Sequence, residues 1–331
     1  MKKNRKFRAI KLLHLLWILP LLLALTLGVL MYVIPAFETV NRTEVQGSAD
    51  WMARIDDSVS LAQITIPGTH DSATTNVQLA FFSKCQAMDV GEQLEAGYRY
   101  LDIRLGADGD RLKLMHGFTN CTTSGFPWAD ALYLDDVLEQ CYAFLSAHPT
   151  EAIVFAVKQE HGNESVARFE QLLNVYLQKQ PDKWLLTDRI PTIKEARGKL
   201  VLMRRYADEA NFGAQSGIPL LWDNQNGHED VSKNIAVHDN GSYVLSIQDR
   251  YEFDTDDKWN AFTAGLKAAK TDEDHVSIHF LSTKGTATYG HPYRFATSLN
   301  PKLLQTDALS GWIIVDFGSA ELAQHIYENN F

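Results

Sequence analysis

The sequence predicts an α/β fold, a distorted (β/α)8 barrel preceded by an N-terminal transmembrane helix. Three observations support this prediction: an uncharged apolar run near the N-terminus, apolar runs that alternate with amphipathic ones, and polar residues that end most of the apolar runs. The chain has 331 residues, 45% of them hydrophobic and 22% charged, which is enough to bury one large core. The composition excludes a disordered protein and a small disulfide-stabilised domain.

The N-terminal region has the composition of a membrane anchor. Leu15 to Phe37 carry no charge, and this length matches the roughly 20 residues that cross a bilayer as a helix. Six basic residues and no acidic one lie in the first eleven positions, which favours a cytoplasmic N-terminus. We predict a cytoplasmic basic segment (1–11), a transmembrane signal anchor (12–37), a linker (38–50) and an extracytoplasmic catalytic barrel (51–331). The alternative is a signal peptide that is cleaved after Ala36, giving a secreted protein.

The remainder of the chain is acidic. After the first eleven residues, 25 basic residues stand against 41 acidic ones, a net charge of −16 with neutral histidines. Binding to a phosphate backbone needs a basic surface, so this charge argues against nucleic acid as a partner. It also argues against a polybasic attachment to anionic lipid. No feature of the sequence predicts an obligate protein partner.

Eight apolar runs predict the strands of the barrel. They cover residues 62–66, 99–105, 112–116, 152–158, 199–205, 243–249, 275–281 and 312–317. The clearest amphipathic helix follows Asp130, where apolar residues recur at intervals of three and four until His148 and Pro149 end the run. Other helices are predicted near 164–179, 257–270 and 320–329. No helical run separates the second and third strands, which is why we predict a distorted barrel.

Polar or ionisable residues end or follow seven of the eight predicted strands. These candidate site residues are His70, Asp71, Asp102, Arg104, His116, Lys158, Arg205, Asp249, Tyr251 and Asp316. Any one of them alone is most simply explained as a solvated residue or half of an ion pair. In a parallel barrel, however, the carboxyl ends of the strands meet at one mouth, where catalytic groups lie. The pattern therefore predicts a polar cavity at that mouth.

Two histidines and an arginine in this set predict acid–base chemistry on a phosphate. His70 and His116 each lie in a glycine-containing turn, and two imidazoles can serve as base and acid near neutral pH. Arg104 lies between them in sequence, and its guanidinium can bind phosphate oxygens at any working pH. Cys85, Cys121 and Cys141 have no metal-binding spacing, and we expect buried thiols or one disulfide.

Several segments together resemble the catalytic X domain of the phosphatidylinositol-specific phospholipases C, and the bacterial secreted type in particular. The matching segments are IPGTHDS (66–72), CQAMDVGEQLEAGYRYLDIRL (85–105), LKLMHG (112–117), DVLEQCYAFLSAHPTEAIVFAVKQE (136–160), ARGKLVLMRRY (196–206) and IQDRY (247–251). They cover most of residues 51–251 in the family's order. Beyond 252 the resemblance depends on VDF (315–317) alone. The resemblance also implies a TIM barrel.

The resemblance implies a role for each catalytic candidate. His70 would be the general base that takes the proton from the inositol 2-hydroxyl, and Asp316 would orient it. His116 would be the general acid that protonates the departing diacylglycerol oxygen, with Asp71 as its carboxylate partner. Arg104 would stabilise charge on the phosphate. An arginine in the position where the eukaryotic members use calcium implies an enzyme without a metal or other cofactor.

The resemblance also implies how the substrate is held. Asp102 would support the catalytic residues from the same DIR triplet as Arg104. Hydrogen bonds from Lys158, Arg205 and Asp249, and stacking of Tyr251, would hold the inositol ring. Two insertions depart from the family pattern, residues 117–131 and 207–242. They could form a lid, a lipid-contacting rim or plain elaboration; we favour a rim of apolar side chains: Phe118, Phe126, Trp128, Leu221 and Trp222.

The function predicted from the sequence is therefore cleavage of phosphatidylinositol, or of a glycosylphosphatidylinositol, to diacylglycerol and inositol 1,2-cyclic phosphate. One alternative is an enzyme for another phospho- or glycerophosphodiester on the same barrel. Its metal-dependent relatives usually show an early His-Arg-Gly and a Glu-x-Asp cluster, and this sequence has neither. A second alternative is a catalytically silent surface module that binds inositol phosphates.

Overall fold

The computed structural model describes residues 17–225, 235–288 and 290–331. The nine helices defined in it are α1 (Trp17–Ala36), α2 (Ala80–Ser83), α3 (Val90–Glu95), α4 (Leu134–Ala147), α5 (Val166–Lys179), α6 (Ile193–Ala196), α7 (Thr255–Ala268), α8 (Pro292–Leu303) and α9 (Ala320–Tyr327). The four helices predicted from the sequence after the anchor correspond to α4, α5, α7 and α9 to within a few residues, whereas α8 was not predicted. The predicted basic segment 1–11 and part of the 207–242 insertion lie outside the described residues.

One mixed sheet forms the body of the protein. Its strands are β1 (Ile66–Thr69), β2 (Tyr100–Asp108), β3 (Arg111–His116), β4 (Thr119–Asn120), β5 (Ile153–Gln159), β6 (Trp184–Leu185), β7 (Leu200–Arg204), β8 (Ile218–Pro219), β9 (Ala236–Asp239), β10 (Val244–Gln248), β11 (His275–Phe280) and β12 (Trp312–Val315). Parallel pairing runs in the order β7-β5-β2-β1-β12-β11-β10. The carboxyl ends of these strands therefore face the same way.

The third predicted strand is not a parallel strand of the barrel. β3 pairs antiparallel with β2 as a hairpin whose turn contains Gly109 at a φ of 63°. A hairpin needs only a short turn, whereas a parallel crossover needs a dozen or more residues. This pairing explains why no helix separates the two strands, and it carries His116 over the mouth of the barrel.

The first strand lies later in the chain than the run at 62–66 predicts. Leu61–Gln63 form a 3-10 turn, because the Ser60 side chain accepts a hydrogen bond from the Ala62 N–H and Gln63 bonds back to Ser60. The strand itself begins at Ile66. In sequence, a capped turn of apolar residues cannot be distinguished from a buried strand, since both give a short apolar run.

Within the described residues, side-chain hydrogen bonds and not strand pairing connect the β7–β8 end of the sheet to the β9–β10 end. β8 pairs with β7 and β9 with β10, and between these two groups the Tyr243 hydroxyl donates to the Pro219 carbonyl. The Gln225 amide donates to the Ile247 carbonyl at 3.0 Å. The barrel is thus distorted, as predicted, with its irregular side between β8 and β10.

A tightly packed interior fills the barrel. Ile66, Tyr100, Val154, Val201 and Trp312 belong to the inner cluster and are all fully buried. Outside the sheet, a second cluster packs α4 and α5 against the outer faces of β2 and β5. This packing fixes the strand ends relative to one another, and therefore the polar groups that they carry.

Among the described residues, one helix, α1, is long and apolar enough to cross a membrane. Its residues from Trp17 to Leu27 are exposed, whereas Met31 and Pro35 near its end are buried. The predicted linker 38–50 lies against the barrel: Glu38 and Ser48 are buried, and Ser48 begins a 3-10 helix that extends to Arg54.

Candidate active site

A cavity of about 520 Å³ opens at the carboxyl ends of the strands. Eight of the ten predicted site residues line it: His70, Arg104, His116, Lys158, Arg205, Asp249, Tyr251 and Asp316. The other two, Asp71 and Asp102, are buried directly behind Arg104 and the histidines. The volume is within the range of small-molecule sites.

The His70 imidazole is fixed by two opposite contacts. Its Nδ1 lies 2.8 Å from Asp316 Oδ1, and its Nε2 lies 2.8 Å from an Arg104 guanidinium nitrogen. A guanidinium can only donate, so Nε2 is the acceptor and the ring hydrogen is on Nδ1, donated to Asp316. The basic nitrogen is therefore the one beside Arg104, and both residues line the cavity.

Asp71 lies between the two histidines. Its Oδ2 is 3.4 Å from His70 Nε2 and also 3.4 Å from His116 Nε2, and the two ring centroids are 6.4 Å apart. On its other side His116 Nδ1 is 2.9 Å from the Ser83 carbonyl, so Nδ1 carries a hydrogen. The carboxylate can pair with either imidazole when that ring carries a hydrogen on Nε2, which is broader than its predicted pairing with His116 alone.

Local backbone geometry places these groups. A Cβ on Gly68, in the IPGTHDS segment, would lie 2.4 Å from Ile314 Cδ1 and 2.8 Å from Tyr100 Cβ, so a larger residue here would displace side chains of the barrel interior. Two residues after the strand, Asp71 takes a left-handed conformation with a φ of 44°. This turn directs its carboxylate toward His116 on the β3 hairpin.

Arg104 and Arg205 share the buried carboxylate of Asp102. Guanidinium nitrogens of Arg104 lie 3.0 Å from Asp102 Oδ2 and 3.0 Å from Asp71 Oδ1, while Arg205 lies 3.4 Å from Asp102 Oδ1. Asp102 is fully buried. Burial would raise its pKa, but Arg104 and Arg205 outweigh burial and hold the pKa well below the usual range. Asp102 is thus an ionised support that orients both cations.

The far wall of the cavity carries alternating charges suited to a polyol. Lys158 Nζ lies 2.9 Å from Glu160 Oε2, and Arg205 lies 3.7 Å from Asp249 Oδ2. Tyr251 lines the cavity next to Asp249. Burial is the main effect that lowers the pKa of Lys158, assisted by the positive charge of Arg104. Each of these groups can donate to or accept from a sugar hydroxyl.

Glu160, Trp222 and Cys85 lie at the cavity or its wall and are not among the predicted catalytic and substrate-binding residues. Glu160 follows Lys158 by two positions, on the same face of the chain as β5 ends, and this spacing was a usable signal. Trp222, which the sequence predicts as part of a lipid-contacting rim, donates a hydrogen bond to Asp249 at 3.1 Å and lies under the Arg205 guanidinium at 3.8 Å, so it also supports the wall of the site. Cys85 lines the cavity from a loop that has no periodic pattern.

The described cysteines are free, and one of them lies at the site. Cys85, Cys121 and Cys141 are all buried thiols. The Cys85 sulfur could join His70 and Asp316, or Asp71 and His116, around a cation, and a third possible group is His70, Asp71 and Asp102. In that third group the Arg104 guanidinium already provides the positive charge. Burial, then the nearby Asp316 and Asp71, raise the pKa of Cys85 well above its usual value, so the thiol is neutral.

The chain matches the family model of the phosphatidylinositol-specific phospholipase C X domain over residues 59–206. It is 30% identical over 308 residues to a 1-phosphatidylinositol phosphodiesterase of Staphylococcus aureus strain Newman, covering 85% of this chain and 94% of that protein. It is 29% identical over 312 residues to the protein of the same name from Listeria monocytogenes, covering 85% of this chain and 84% of the relative.

Solved structures agree with these matches. A phosphatidylinositol-specific phospholipase C from S. aureus superposes with a TM-score of 0.72 at 28% identity, covering 86% of this chain and 98% of the other. The corresponding enzyme from L. monocytogenes superposes with a TM-score of 0.63 at 25% identity, covering 86% and 99%. The fold, the family model and the identity over most of both chains lead to one conclusion: this chain belongs to the X-domain family of phosphatidylinositol-specific phospholipases C.

Proposed function

We propose that this protein is a phosphatidylinositol-specific phospholipase C that acts without a metal ion. It would cleave phosphatidylinositol, or a glycosylated form of it, to diacylglycerol and inositol 1,2-cyclic phosphate. The observation that carries the proposal is the convergence of His70, His116 and Arg104 on one cavity, with the Asp71 carboxylate 3.4 Å from both imidazoles. One phosphodiester can reach all three groups there.

His70 would begin the reaction as general base. When a phosphate oxygen takes the Arg104 donor that now binds His70, the Nε2 lone pair becomes available to the inositol 2-hydroxyl. That hydroxyl loses its proton to Nε2 and attacks its own phosphorus, an intramolecular step with a high effective molarity. Asp316, bonded to Nδ1, stabilises the imidazolium that forms.

His116 would complete the cleavage as general acid. The bond from phosphorus to the diacylglycerol oxygen breaks, and that oxygen needs a proton to leave as an alcohol. Because the Nδ1 hydrogen of His116 is held by the Ser83 carbonyl, the proton comes from Nε2, beside Asp71. Arg104 offsets the charge that develops on the phosphate oxygens.

The charged wall of the cavity would select the inositol ring. Lys158, Glu160, Arg205 and Asp249 offer donors and acceptors for hydroxyl groups, and an unmatched buried partner costs about 1–3 kcal/mol. Tyr251 would stack on a ring face. A headgroup without these hydroxyls leaves the charges unpaired, and this penalty favours inositol lipids over other phospholipids.

The chain would act from a membrane. The apolar helix α1 is the proposed signal anchor (12–37), with residues 1–11 in the cytoplasm and the barrel (51–331) outside the cell, joined by residues 38–50. Cleavage of the anchor would give a secreted form of the same enzyme. We propose no obligate protein partner and no nucleic acid partner.

Phosphorus NMR tests the proposal directly. The purified protein in EDTA, with phosphatidylinositol in detergent micelles, should produce a cyclic phosphodiester signal that appears before any inositol monophosphate. No cyclic product, or a product that forms only after calcium is restored, contradicts the proposal. Faster turnover of glycerophosphodiesters than of inositol lipids would support the alternative enzyme.

A further inference from the structure

The last turns of helix α1 rest on the barrel. Met31 and Pro35 are buried, although every residue from Trp17 to Leu27 is exposed. The short apolar helix α2 packs against Val29–Val33 of α1. From Val29 to Ala36 the contact region covers about 12 Å of the helix axis, at 1.5 Å per residue. Helix α2 is therefore held beside the end of the apolar helix, at the level where a spanning helix leaves the bilayer.

Two polar side chains of the barrel, Lys84 and His291, hold the end of α1 and the segment that follows it. Lys84 Nζ donates to the Pro35 carbonyl at 2.7 Å and to the Glu38 carbonyl at 3.0 Å. The Glu38 side chain is 4% exposed, and its Oε1 lies 2.6 Å from His291 Nε2. The His291 ring stacks on Phe81 of α2 with 4.0 Å between centroids. We call these contacts of Lys84, Glu38 and His291 the exit clamp; they fix where the chain leaves the helix.

The exit clamp lies at the edge of the catalytic cavity. Lys84 is flanked in sequence by Ser83 and Cys85, and both of these residues line the cavity. On the other element, residue 291 is flanked by Gly290 and Pro292, which also line it. The end of α1 and the catalytic mouth are thus separated by a single layer of residues.

An aromatic loop lies on the same side of the mouth. Its exposed rings are those of Phe118, Phe126 and Trp128; Phe118 lines the cavity, and the other two rings stack at 5.5 Å. The loop is bonded to the segment that leads into α2: the Gln78 N–H donates to the Asn120 carbonyl at 3.0 Å, and the Thr122 N–H donates to the Asn76 carbonyl at 2.9 Å. Exposed aromatic rings favour the interface of a bilayer.

We propose that the exit clamp turns the catalytic mouth toward the bilayer that α1 spans, so that the enzyme takes its lipid from its own membrane. This inference depends on the proposed function and on the proposed anchor. A lipid of the same membrane reaches the mouth by lateral diffusion, at the high effective concentration that a tether provides. A lipid of another membrane does not reach the mouth in this way, because the anchor and the aromatic loop hold the mouth against the membrane that α1 spans.

Full-length protein reconstituted into vesicles provides the test. One sample contains phosphatidylinositol in the same vesicles as the protein; the other adds it in separate vesicles at the same total concentration. We expect cleavage in the shared vesicles to be faster by about tenfold or more. Equal rates in the two samples overturn the inference. Cleavage of a monomeric short-chain phosphatidylinositol, measured in parallel, tests the proposed function separately.

Variants of the exit clamp make the test specific. Lys84→Met and His291→Gln, combined, should lower the ratio of the two vesicle rates, which the tether alone keeps above one, and leave the short-chain rate unchanged. The matched control combines Lys179→Met with His148→Gln, which removes a lysine–carboxylate and a histidine–carboxylate contact elsewhere; it should keep the wild-type ratio. A clamp variant that keeps the full ratio overturns the role of the clamp.

A measurement that needs no activity completes the test. A fluorophore attached at Trp128→Cys should be quenched by spin-labelled lipids in the protein's own vesicles. The same fluorophore at Asp182→Cys, an exposed position next to the amino end of β6, should not be quenched. Equal quenching at both positions, or quenching only at residue 182, contradicts the proposed orientation even if no lipid is cleaved.

Discussion

Arg104 is the residue on which most charges of the site converge. Its guanidinium contacts the carboxylates of Asp71 and Asp102 at 3.0 Å and that of Glu160 at 3.9 Å, and it binds His70 at 2.8 Å. In the proposed reaction the carboxylates would preorganise the cation, so that little rearrangement would be needed when it meets a phosphate. At the same time it blocks the basic nitrogen of His70 until another acceptor takes its donor.

Loss of the Arg104 charge should therefore slow the chemical step. We expect Arg104→Met to lower kcat by about 10²- to 10³-fold on monomeric phosphatidylinositol, as for loss of one preorganised electrostatic donor. The kcat of Arg104→Lys should lie between those of Arg104→Met and the wild type, because lysine restores the charge without the forked geometry of the guanidinium. Arg189→Met, at an exposed ion pair, is the control. A kcat within threefold of wild type for Arg104→Met, in folded protein, contradicts the role.

The pH dependence should report the environment of His70. Burial would lower its pKa, but the Asp316 and Asp71 carboxylates outweigh burial and raise the pKa above its usual 6.5. A base works when neutral, so kcat/KM should fall as the pH drops through this raised pKa. Asp316→Asn removes the larger of the two raising charges, and the acidic limb should move to lower pH while the rate falls. If the acidic limb of the Asp316→Asn profile stays at the wild-type pH, the limb does not report the titration of His70.

The residues of the site differ in how well they can be predicted from the sequence. Arg104 and Asp316 were predictable because each lies at the end of an apolar run that forms a strand, and His70 was predictable because it lies in the IPGTHDS segment. The contributions of Cys85 and Trp222 to the site were not predictable, since both lie in loops: Cys85 lines the cavity, and Trp222 contacts Asp249, which lines it. Glu160 lay within reach, two positions after Lys158.

At the scale of elements, the predictable part of the site depends on parallel strands. The carboxyl ends of β1, β2, β5, β7, β10 and β12 bring their polar residues together by topology alone. The β2–β3 hairpin is different, because the apolar pattern does not show whether a strand pairs parallel or antiparallel with its neighbour. Gly109 and the missing helix were the available signals. The pairing partner of β3 decides where His116 lies, and that required the structure.

The amino end of β2 carries a buried ion pair that should matter for folding. The fully buried Arg99 lies 2.9 Å from Glu151 and also donates to the carbonyls of Ser48 and Ala49, tying the segment before the barrel to the strands. Removing one partner of such a pair leaves an uncompensated charge.

We expect Arg99→Met to lower the free energy of unfolding by about 3–5 kcal/mol. Arg168→Met, which breaks the exposed ion pair with Asp110, should change it by no more than about 1 kcal/mol. Urea denaturation of both variants measures the difference. Similar small losses in the two variants would show that Arg99 and Glu151 do not act as a buried pair.

At the scale of the whole molecule, the barrel unites distant parts of the chain. His70 and Asp316 bond across 246 residues of sequence, and Asp102 meets Arg205 across 103. The order of apolar runs predicted this architecture. The irregular side between β8 and β10, closed by Tyr243 and Gln225 side chains, was not predictable, because it depends on single hydrogen bonds and not on a repeated pattern.

The account as a whole requires that His70 and His116 act on opposite sides of one phosphorus atom. The most direct test compares His70→Ala and His116→Ala on two inositol phosphodiesters, one with an alkyl and one with an aryl leaving group. An aryl oxide leaves without a proton, so His116→Ala should lose about 10²- to 10⁴-fold on the alkyl ester and far less on the aryl ester. His70→Ala should lose a similar factor on both. If His116→Ala loses equally on both esters, the proposed division between acid and base is wrong.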